Sequence, residues 1–199
     1  SWRKQKAEYY TLEMNNVKYY FVENDYYFYR DNIYGGFDEI ERYAFFSKAA
    51  LSALPMIGFR PDLIHCHDWQ TGLVPVYLKE RFQGGDFYRG IKTVMTIHNL
   101  KFQGVWGTDA VKGLIGLPDE YYTSDKLEAY NDANLLKGGI VYANRVTTVS
   151  NTYADEIKMP FYGERLDGLM NARSTELSGI VNGIDYDEYN PETDAFLAR

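Results

Sequence analysis

The chain has 199 residues, and its 28 acidic and 21 basic side chains leave a formal net charge of −7. This acidity disfavours a nucleic-acid partner, because binding to phosphates requires a basic face. The composition, 45% hydrophobic and 25% charged, is typical of a soluble globular protein, and no apolar segment approaches the roughly 20 residues that span a membrane. The single cysteine, Cys66, cannot form an internal disulfide, which indicates a reducing intracellular compartment.

Apolar patterns along the chain predict strands that alternate with helices. A strand is predicted over 17–23, while 1–15 stays unassigned. The first long helix begins at Asp38, where Glu41 completes a capping box, and it ends near Pro55. The further predicted strands lie after Pro61 and over 91–97, 146–149 and 179–182, and the further predicted helices lie over 73–82, 135–143 and about 150–158.

Two stretches lack a clear period, namely 100–132 and 160–174. The first of them, 100–132, is predicted to hold a few turns of helix at most, and a connection of this length is usually functional. The second, 160–174, is polar and is expected to be mobile. The order strand, helix, strand over 62–97 contains no hairpin signal, so it predicts a right-handed βαβ unit. The sequence therefore predicts an α/β fold with a parallel sheet and flanking helices.

Polar side chains follow the predicted strands. The groups at these strand ends are His65 to Trp69, His98–Asn99, Ser150–Asn151 and Asn182–Gly183. In open α/β sheets, ligands bind outside the carboxyl ends of the strands. Imidazole and carboxamide groups both donate and accept hydrogen bonds, which suits sugar hydroxyls or a phosphate. We therefore expect a ligand site along this edge of the sheet.

The spacing of His65 and His67, followed by Asp68, raises the possibility of a metal site. Both imidazoles lie on one face of a strand, and such a set can bind zinc or a pair of metal ions. The alternative is that His65 packs in the sheet while His67 and Asp68 form a polar turn. Because no second cluster of ligands occurs in the sequence, we expect no metal. The sequence contains no dinucleotide fingerprint and no P-loop, and we expect no cofactor. It also contains no serine nucleophile elbow, so a nucleophilic triad is not expected.

Four segments resemble the N-terminal catalytic domain of bacterial glycogen synthases and plant starch synthases. They are HCHDWQTGLVPVYLK at 65–79, TIHNLKFQGVW at 96–106, VTTVSNTYADEI at 146–157 and GIVNGIDYDEYNPETD at 179–194. Their order and spacing match the family, and the resemblance extends over nearly all of the chain from about residue 26. It implies the N-terminal half of a two-domain GT-B glycosyltransferase, with Rossmann-like domains and an active site in the cleft between them.

The resemblance also implies a reaction. The family transfers glucose from ADP-glucose to the non-reducing end of an α-1,4-glucan, with retention of configuration and without a metal. It implies that His98 and Asp68 are catalytic. The substrate-binding residues that it implies are Tyr43, Trp69, Gln70, Asn99, Gln103 and Asn182. The expected partners are thus the nucleotide sugar and the glucan, and the expected compartment is the cytoplasm, or the plastid in a plant.

Two parts of the family pattern are missing from the sequence. The Lys-Thr-Gly-Gly loop that contacts the donor does not occur, and neither does the C-terminal domain that supplies an Arg-Lys pair and a Glu. We therefore expect 1–199 to be a single partial N-terminal domain that is inactive alone. Two alternatives stay open: a glucan-binding module without catalysis, and another two-domain nucleotide-sugar glycosyltransferase, such as a relative of sucrose synthase.

Overall fold

The structure, a computed structural model, describes residues 4–197 of a chain that divides into two compact units, 1–146 and 147–199. The strands are β1 (Glu8–Met14), β2 (Val17–Glu23), β3 (Leu63–His67), β4 (Lys92–Ile97), β5 (Val105–Gly107), β6 (Glu128–Ala129), β7 (Asp132–Asn134), β8 (Arg145–Thr148) and β9 (Leu177–Gly179). The α-helices are α1 (Asp25–Phe28), α2 (Glu39–Met56), α3 (Leu73–Tyr77), α4 (Thr108–Ile115), α5 (Leu135–Tyr142), α6 (Asn151–Glu156) and α7 (Asp167–Ala172).

A parallel sheet positions the candidate site. In the first unit β3 pairs with β4 in parallel, and the ladder ends with His67 opposite Thr96. The strand β8 spans the boundary between the two units, and in the second unit β9 lies beside it. The chain passes from β3 to β4 through α3 and a π-helical turn over Leu78–Phe82. The predicted α/β fold with a parallel sheet and flanking helices is thus confirmed.

Glycines bring α5 close to the sheet and to the turn that follows β3. A Cβ on Gly139 would lie 2.5 Å from Cε of Met95 and 3.0 Å from Cα of Gly72. A Cβ on Gly138 would meet the side chains of Leu127 and Val76 at 3.0 and 3.3 Å. Larger residues at these two positions would force the helix away from β4.

An antiparallel hairpin of β1 and β2 precedes the parallel sheet. Its turn is Asn15–Asn16, and both residues have positive φ angles, 54° and 61°. Positive φ at both central positions is the signature of a type I′ turn, whose twist matches that of paired strands. The predicted strand over 17–23 is confirmed, and its partner β1 lies within 1–15, where the apolar pattern is too weak to predict an element.

The N-terminus of α2 differs from its prediction. Asp38 is the N-cap residue, but its carboxylate makes no cap hydrogen bond. Instead it accepts two hydrogen bonds from the guanidinium of Arg30, at 2.7 and 2.9 Å, and lies 3.5 Å from Nη2 of Arg42. The Glu41 carboxylate accepts from the Tyr27 hydroxyl at 2.6 Å. The predicted capping box is therefore wrong, because charge-assisted pairs with arginine are stronger than a bond to a neutral amide.

In the stretch 100–132, the eight residues of α4 agree with the few turns of helix that the sequence predicts, whereas its short strands have no sequence signal. Within 100–132, β5 and β6 begin a three-stranded antiparallel sheet, in the order β5–β7–β6, and α4 lies between them in the chain. The polar segment 160–174 holds the short helix α7, whose Met170 is fully buried. Within 4–197, every helix is too short or too polar to cross a lipid bilayer.

In the second unit, α6 begins as predicted. The Ser150 hydroxyl accepts a hydrogen bond from the backbone N–H of Tyr153 at 2.9 Å, and this is a standard N-cap. The last strand, β9, lies slightly earlier than the predicted 179–182. Asn182 follows it in an exposed segment without regular secondary structure.

Candidate functional site

The turn after β3 is tied to the loop after β4 by Asp68. Its backbone N–H donates to the Thr96 carbonyl at 2.9 Å, one step beyond the last pair of the ladder. Its carboxylate accepts from the backbone N–H of His98 at 2.8 Å. Asp68 also has a φ of 56°, a left-handed conformation that is uncommon for a residue with a side chain. The two predicted catalytic residues are thus joined through backbone and carboxylate.

Thr71 closes the same turn from the other side. Its hydroxyl accepts from the backbone N–H of His67 at 2.7 Å and donates to the His67 carbonyl at 2.8 Å. The backbone N–H of Thr71 donates to the Asp68 carbonyl at 3.2 Å. The turn from His67 to Thr71 is therefore held by its own hydrogen bonds before any ligand arrives.

Trp69 forms a fixed aromatic wall. The indole is only 6% exposed and meets Tyr43 edge-to-face, with ring centroids 4.8 Å apart, and Trp106 at 5.4 Å. Behind it lies Gly104, where an added Cβ would be 2.5 Å from the indole ring. Burial raises the pKa of the Tyr43 phenol. This hydroxyl is therefore neutral at physiological pH and can donate a hydrogen bond.

A cavity of about 510 Å³ lies over this junction in the first unit. Its lining contains four residues that the sequence predicted for the site, namely Asp68, Trp69, Gln70 and Asn99. The lining also contains four residues that sequence reasoning missed, namely Tyr34, Gly35, Glu39 and Phe102. Cavities of roughly 300–1,000 Å³ are typical of small-molecule sites. The volume is sufficient for one or two sugar rings.

The missed residues reach the cavity through tertiary contacts. The Gln70 carboxamide donates to the Tyr34 hydroxyl at 3.1 Å, which links the 32–36 loop to the turn after β3. The backbone N–H of Gly35 in that loop donates to the carboxylate of Glu39, the first residue of α2. Phe102 follows Asn99 in the same loop, and its side chain is 60% exposed. Only Phe102 had a sequence signal, since it lies within the TIHNLKF block.

The remaining predicted residues lie in different surroundings. The side chains of His98 and Asn99 are exposed, and the Asn99 carboxamide oxygen accepts from the backbone N–H of Lys101 at 3.0 Å. Both polar atoms of the Gln103 side chain are engaged: Oε1 accepts from Asn134 of β7 at 2.6 Å, and Nε2 donates to the Leu100 carbonyl at 2.9 Å. A contact between Gln103 and a glucan thus stays a prediction, as does the placement of Asn182, which belongs to the second unit.

The histidines and the cysteine of this region do not assemble a metal centre. His65 Nε2 lies 2.6 Å from the Thr96 hydroxyl, a hydrogen bond within the sheet. Burial raises the pKa of the Cys66 thiol to about 12, so this sulfur stays protonated and is a poor ligand and nucleophile. In the part of the chain that the structure describes, no three His, Cys, Asp or Glu side chains are grouped so that they could hold a metal ion.

Comparisons with known proteins identify the family of the chain. Residues 1–172 match the family described as starch synthase catalytic domain. The glycogen synthase of Lachnospira eligens is 70% identical over 195 residues, which are 98% of this chain and 41% of the relative. The glycogen synthase of Lachnoclostridium phytofermentans is 58% identical over 200 residues, 100% of this chain and 42% of the relative. The chain thus spans about two fifths of the length of these relatives.

A solved structure shares the fold. It is the catalytic domain of starch synthase IV from Arabidopsis thaliana, bound to ADP and acarbose, with a TM-score of 0.86 at 34% identity. The match covers 97% of this chain and 40% of that one. It confirms the predicted GT-B type of α/β fold. From the family match over residues 1–172 and from these relatives, we conclude that the chain belongs to the starch synthase catalytic domain family.

Proposed function

We propose that the protein carrying this chain transfers glucose from ADP-glucose to the non-reducing end of an α-1,4-glucan. The observation that carries the proposal is the cavity at the carboxyl ends of β3 and β4, lined by Asp68, Trp69, Gln70 and Asn99. It lies in a chain that is 70% identical to a glycogen synthase. The compartment that fits this reaction in a bacterium is the cytoplasm.

The charge of the cavity indicates which part of the substrates it holds. Its lining has two carboxylates, Asp68 and Glu39, and none of the eight described lining residues is a lysine or an arginine. A diphosphate would be repelled there, because phosphate binding needs cations or helix N-termini. Neutral sugar hydroxyls suit the same carboxylates and carboxamides. We therefore assign sugar recognition to this chain and the ADP diphosphate to the further part that the longer relatives have.

The reaction requires stabilisation of charge on both sides of the glycosidic bond that breaks, on the sugar ring and on the leaving group. Retaining glycosyl transfer develops positive charge on the sugar ring, as glycoside hydrolysis does, and negative charge on the leaving group. The Asp68 carboxylate suits the positive ring, although it is already held by the His98 backbone. His98 would orient the glucose hydroxyls. Neutralising the diphosphate is usually the larger contribution, and it falls to groups outside this cavity.

The exposed aromatic side chains favour a glucan as the second ligand. Phe102 is 60% exposed and Tyr34 is 57% exposed, and both line the cavity. Aromatic faces bind the apolar faces of pyranose rings, and covering them removes apolar surface from water. We therefore expect the acceptor glucan to lie along Tyr34 and Phe102, beside the buried wall of Trp69.

The glucan-binding alternative applies to the chain by itself. Because the cavity carries sugar-binding groups and no phosphate-binding group, 1–199 should bind maltooligosaccharides without transferring glucose. Glucan binding and transfer are therefore separable properties. A relationship to sucrose synthases is not favoured, since the relatives at 70% and 58% identity are glycogen synthases.

The test compares His98→Ala with His65→Ala in a protein of the relatives' full length. We expect His98→Ala to lower turnover with labelled ADP-glucose and glycogen by roughly 100-fold or more at nearly unchanged melting temperature, the scale for a lost positioning group. His65→Ala removes a histidine of the same face that bonds within the sheet, and turnover should stay near normal. Purified 1–199 should show no transfer. Turnover by 1–199 above background would refute the placement of the diphosphate site outside this chain. A folded His98→Ala enzyme with normal turnover would refute the orienting role of His98.

A further inference from the structure

The three histidines of the chain form one row along the ends of β3 and β4. The ring centroids of His65 and His67 are 4.2 Å apart, and those of His67 and His98 are 5.3 Å apart. Nδ1 of His67 lies 3.0 Å from Nε2 of His98, a hydrogen-bond distance. His65 lies at the other end of the row, where its Nε2 meets the Thr96 hydroxyl. The row thus begins in the sheet and ends at the predicted catalytic histidine.

We propose that His67 is a positioning residue that holds the His98 imidazole in one orientation and one tautomer. A hydrogen bond between two imidazole nitrogens needs a proton on one of them and a lone pair on the other. The tautomers of the two neutral rings are therefore coupled. With Nε2 committed to His67, the Nδ1 atom of His98 remains to meet a sugar hydroxyl. The inference rests on the proposed function only for the contact of His98 with the sugar.

Both histidines are also held through their backbones. The Thr71 hydroxyl accepts a hydrogen bond from the N–H of His67 and donates one to the His67 carbonyl. The Asp68 carboxylate accepts from the N–H of His98. His67 is not among the residues that line the cavity. His98 does not line it either, but Asp68, which accepts from the His98 N–H, and Asn99, the next residue, both do. His67 can therefore act on a bound sugar through His98 at the border of the cavity, as part of a prearranged pair.

Charge supports a neutral pair. Burial, and then the neighbouring His65 and His98, lower the pKa of His67, while the Asp68 carboxylate opposes this shift. A neutral His67 keeps one ring nitrogen as an acceptor. If both imidazoles carried a proton on each nitrogen, the N–H groups at Nδ1 of His67 and Nε2 of His98 would face each other across 3.0 Å, and the hydrogen bond would break. Acid should thus release the His98 ring from its position.

Nitrogen NMR of the 199-residue chain tests the geometry without any catalytic assay. Only three histidines are present, so each ring can be assigned by substitution. We expect His98 to show one protonated and one unprotonated nitrogen at pH 7.5. In His67→Ala the two nitrogens of His98 should shift towards averaged values. His67→Asn should preserve the single tautomer, because the asparagine carboxamide reaches the position of Nδ1 and does not titrate. Averaged His98 nitrogens in the unaltered chain, or no change in His67→Ala, would overturn the proposal.

Kinetics of the full-length protein supply the second measurement. We expect His67→Ala to lower kcat by roughly 10- to 100-fold with a smaller change in KM, since a misplaced group costs rate. His67→Asn should recover most of this loss and should flatten the acid side of the pH–rate profile. Equal losses in both variants, together with an unchanged His98 tautomer, would indicate a structural role and contradict the proposal. If His98→Ala itself kept full turnover, the role proposed for His98 in transfer would fail, while the NMR result on its orientation stood independently; absence of transfer by the unaltered full-length protein would instead refute the proposed function.

Discussion

Gly104 supports the aromatic wall of the cavity, and replacing it with alanine tests that wall directly. Gly104 has a φ of +64°, a region that costs an alanine about 1 kcal/mol or more. The new Cβ would also lie 2.5 and 2.8 Å from two atoms of the Trp69 indole. The indole cannot move away freely, because Tyr43 and Trp106 pack against it. Gly104→Ala therefore combines backbone strain with overpacking.

The expected magnitude follows from these two contributions. Overpacking in a tightly packed site costs about 1–3 kcal/mol, so the sum is about 2–4 kcal/mol. For a chain of this size, each kcal/mol lowers the melting temperature by about 2–4 °C, and the expected decrease is roughly 4–16 °C. Because the indole must shift into the cavity, binding of maltooligosaccharides should weaken as well.

Two other glycines provide matched controls. Gly116 has a φ of +67°, but the nearest atoms to its added Cβ lie at 3.7 and 3.8 Å, so Gly116→Ala introduces strain without a clash. Gly113 lies inside α4 with no atom within 4 Å, and Gly113→Ala should be neutral or stabilising by about 0.5–1 kcal/mol. Thermal unfolding followed by circular dichroism would rank the three variants. A melting temperature for Gly104→Ala equal to that of Gly116→Ala would refute the packing argument.

Two further predictions concern stability. Asn134 caps α5 by accepting from the Lys137 N–H at 2.8 Å, and it also donates to Gln103. Asn134→Ala should therefore lower the free energy of unfolding, measured in urea, by about 2 kcal/mol. Asn134→Asp should restore the cap. If Asn134→Ala left the urea concentration at the midpoint of unfolding unchanged, the cap would not stabilise the fold, and the prediction would be wrong. Stability should also fall as pH decreases below about 6.5, because the unfolded chain protonates His67 before the folded chain, where its pKa is lowered. Melting temperatures between pH 7.5 and 5.5 should show this slope, and an equal slope in His67→Asn would contradict it.

The elements that the sequence predicted well have long apolar patterns or a clear terminal signal. The helix α5 has both apolar periodicity and paired glycines, and α6 has Ser150 at its cap. By contrast, β5 and β6 have three and two residues, too few to show a period of two. The hairpin of β1 and β2 could have been found from Asn15–Asn16, since asparagine is favoured at positions with positive φ.

The candidate site shows the same division. Asp68, Trp69 and Asn99 were predictable because each follows directly after a strand of a parallel sheet, where ligands bind. Tyr34 and Glu39 belong to a loop and a helix start that come to the cavity through tertiary contacts, and nothing in their local sequence indicates this. Local sequence also cannot choose between two partners for one side chain. Asp38 could cap α2 or pair with arginine, and only the folded structure brings Arg30 to it.

The backbone at Asp68 explains why this junction needs an aspartate in particular. Its φ of 56° with ψ of −173° is a conformation that glycine adopts easily, and for other residues such strain costs about 1–3 kcal/mol. A glycine would relieve the strain, but it would lack the carboxylate that accepts from the His98 N–H at 2.8 Å. The N–H of Asp68 donates to the Thr96 carbonyl, and the Asp68 carbonyl accepts from the N–H of Thr71. The N–H, the carbonyl and the carboxylate of Asp68 are therefore all engaged. The strain is therefore the cost of joining the turn after β3 to the loop after β4, and the cavity of about 510 Å³ lies over that junction.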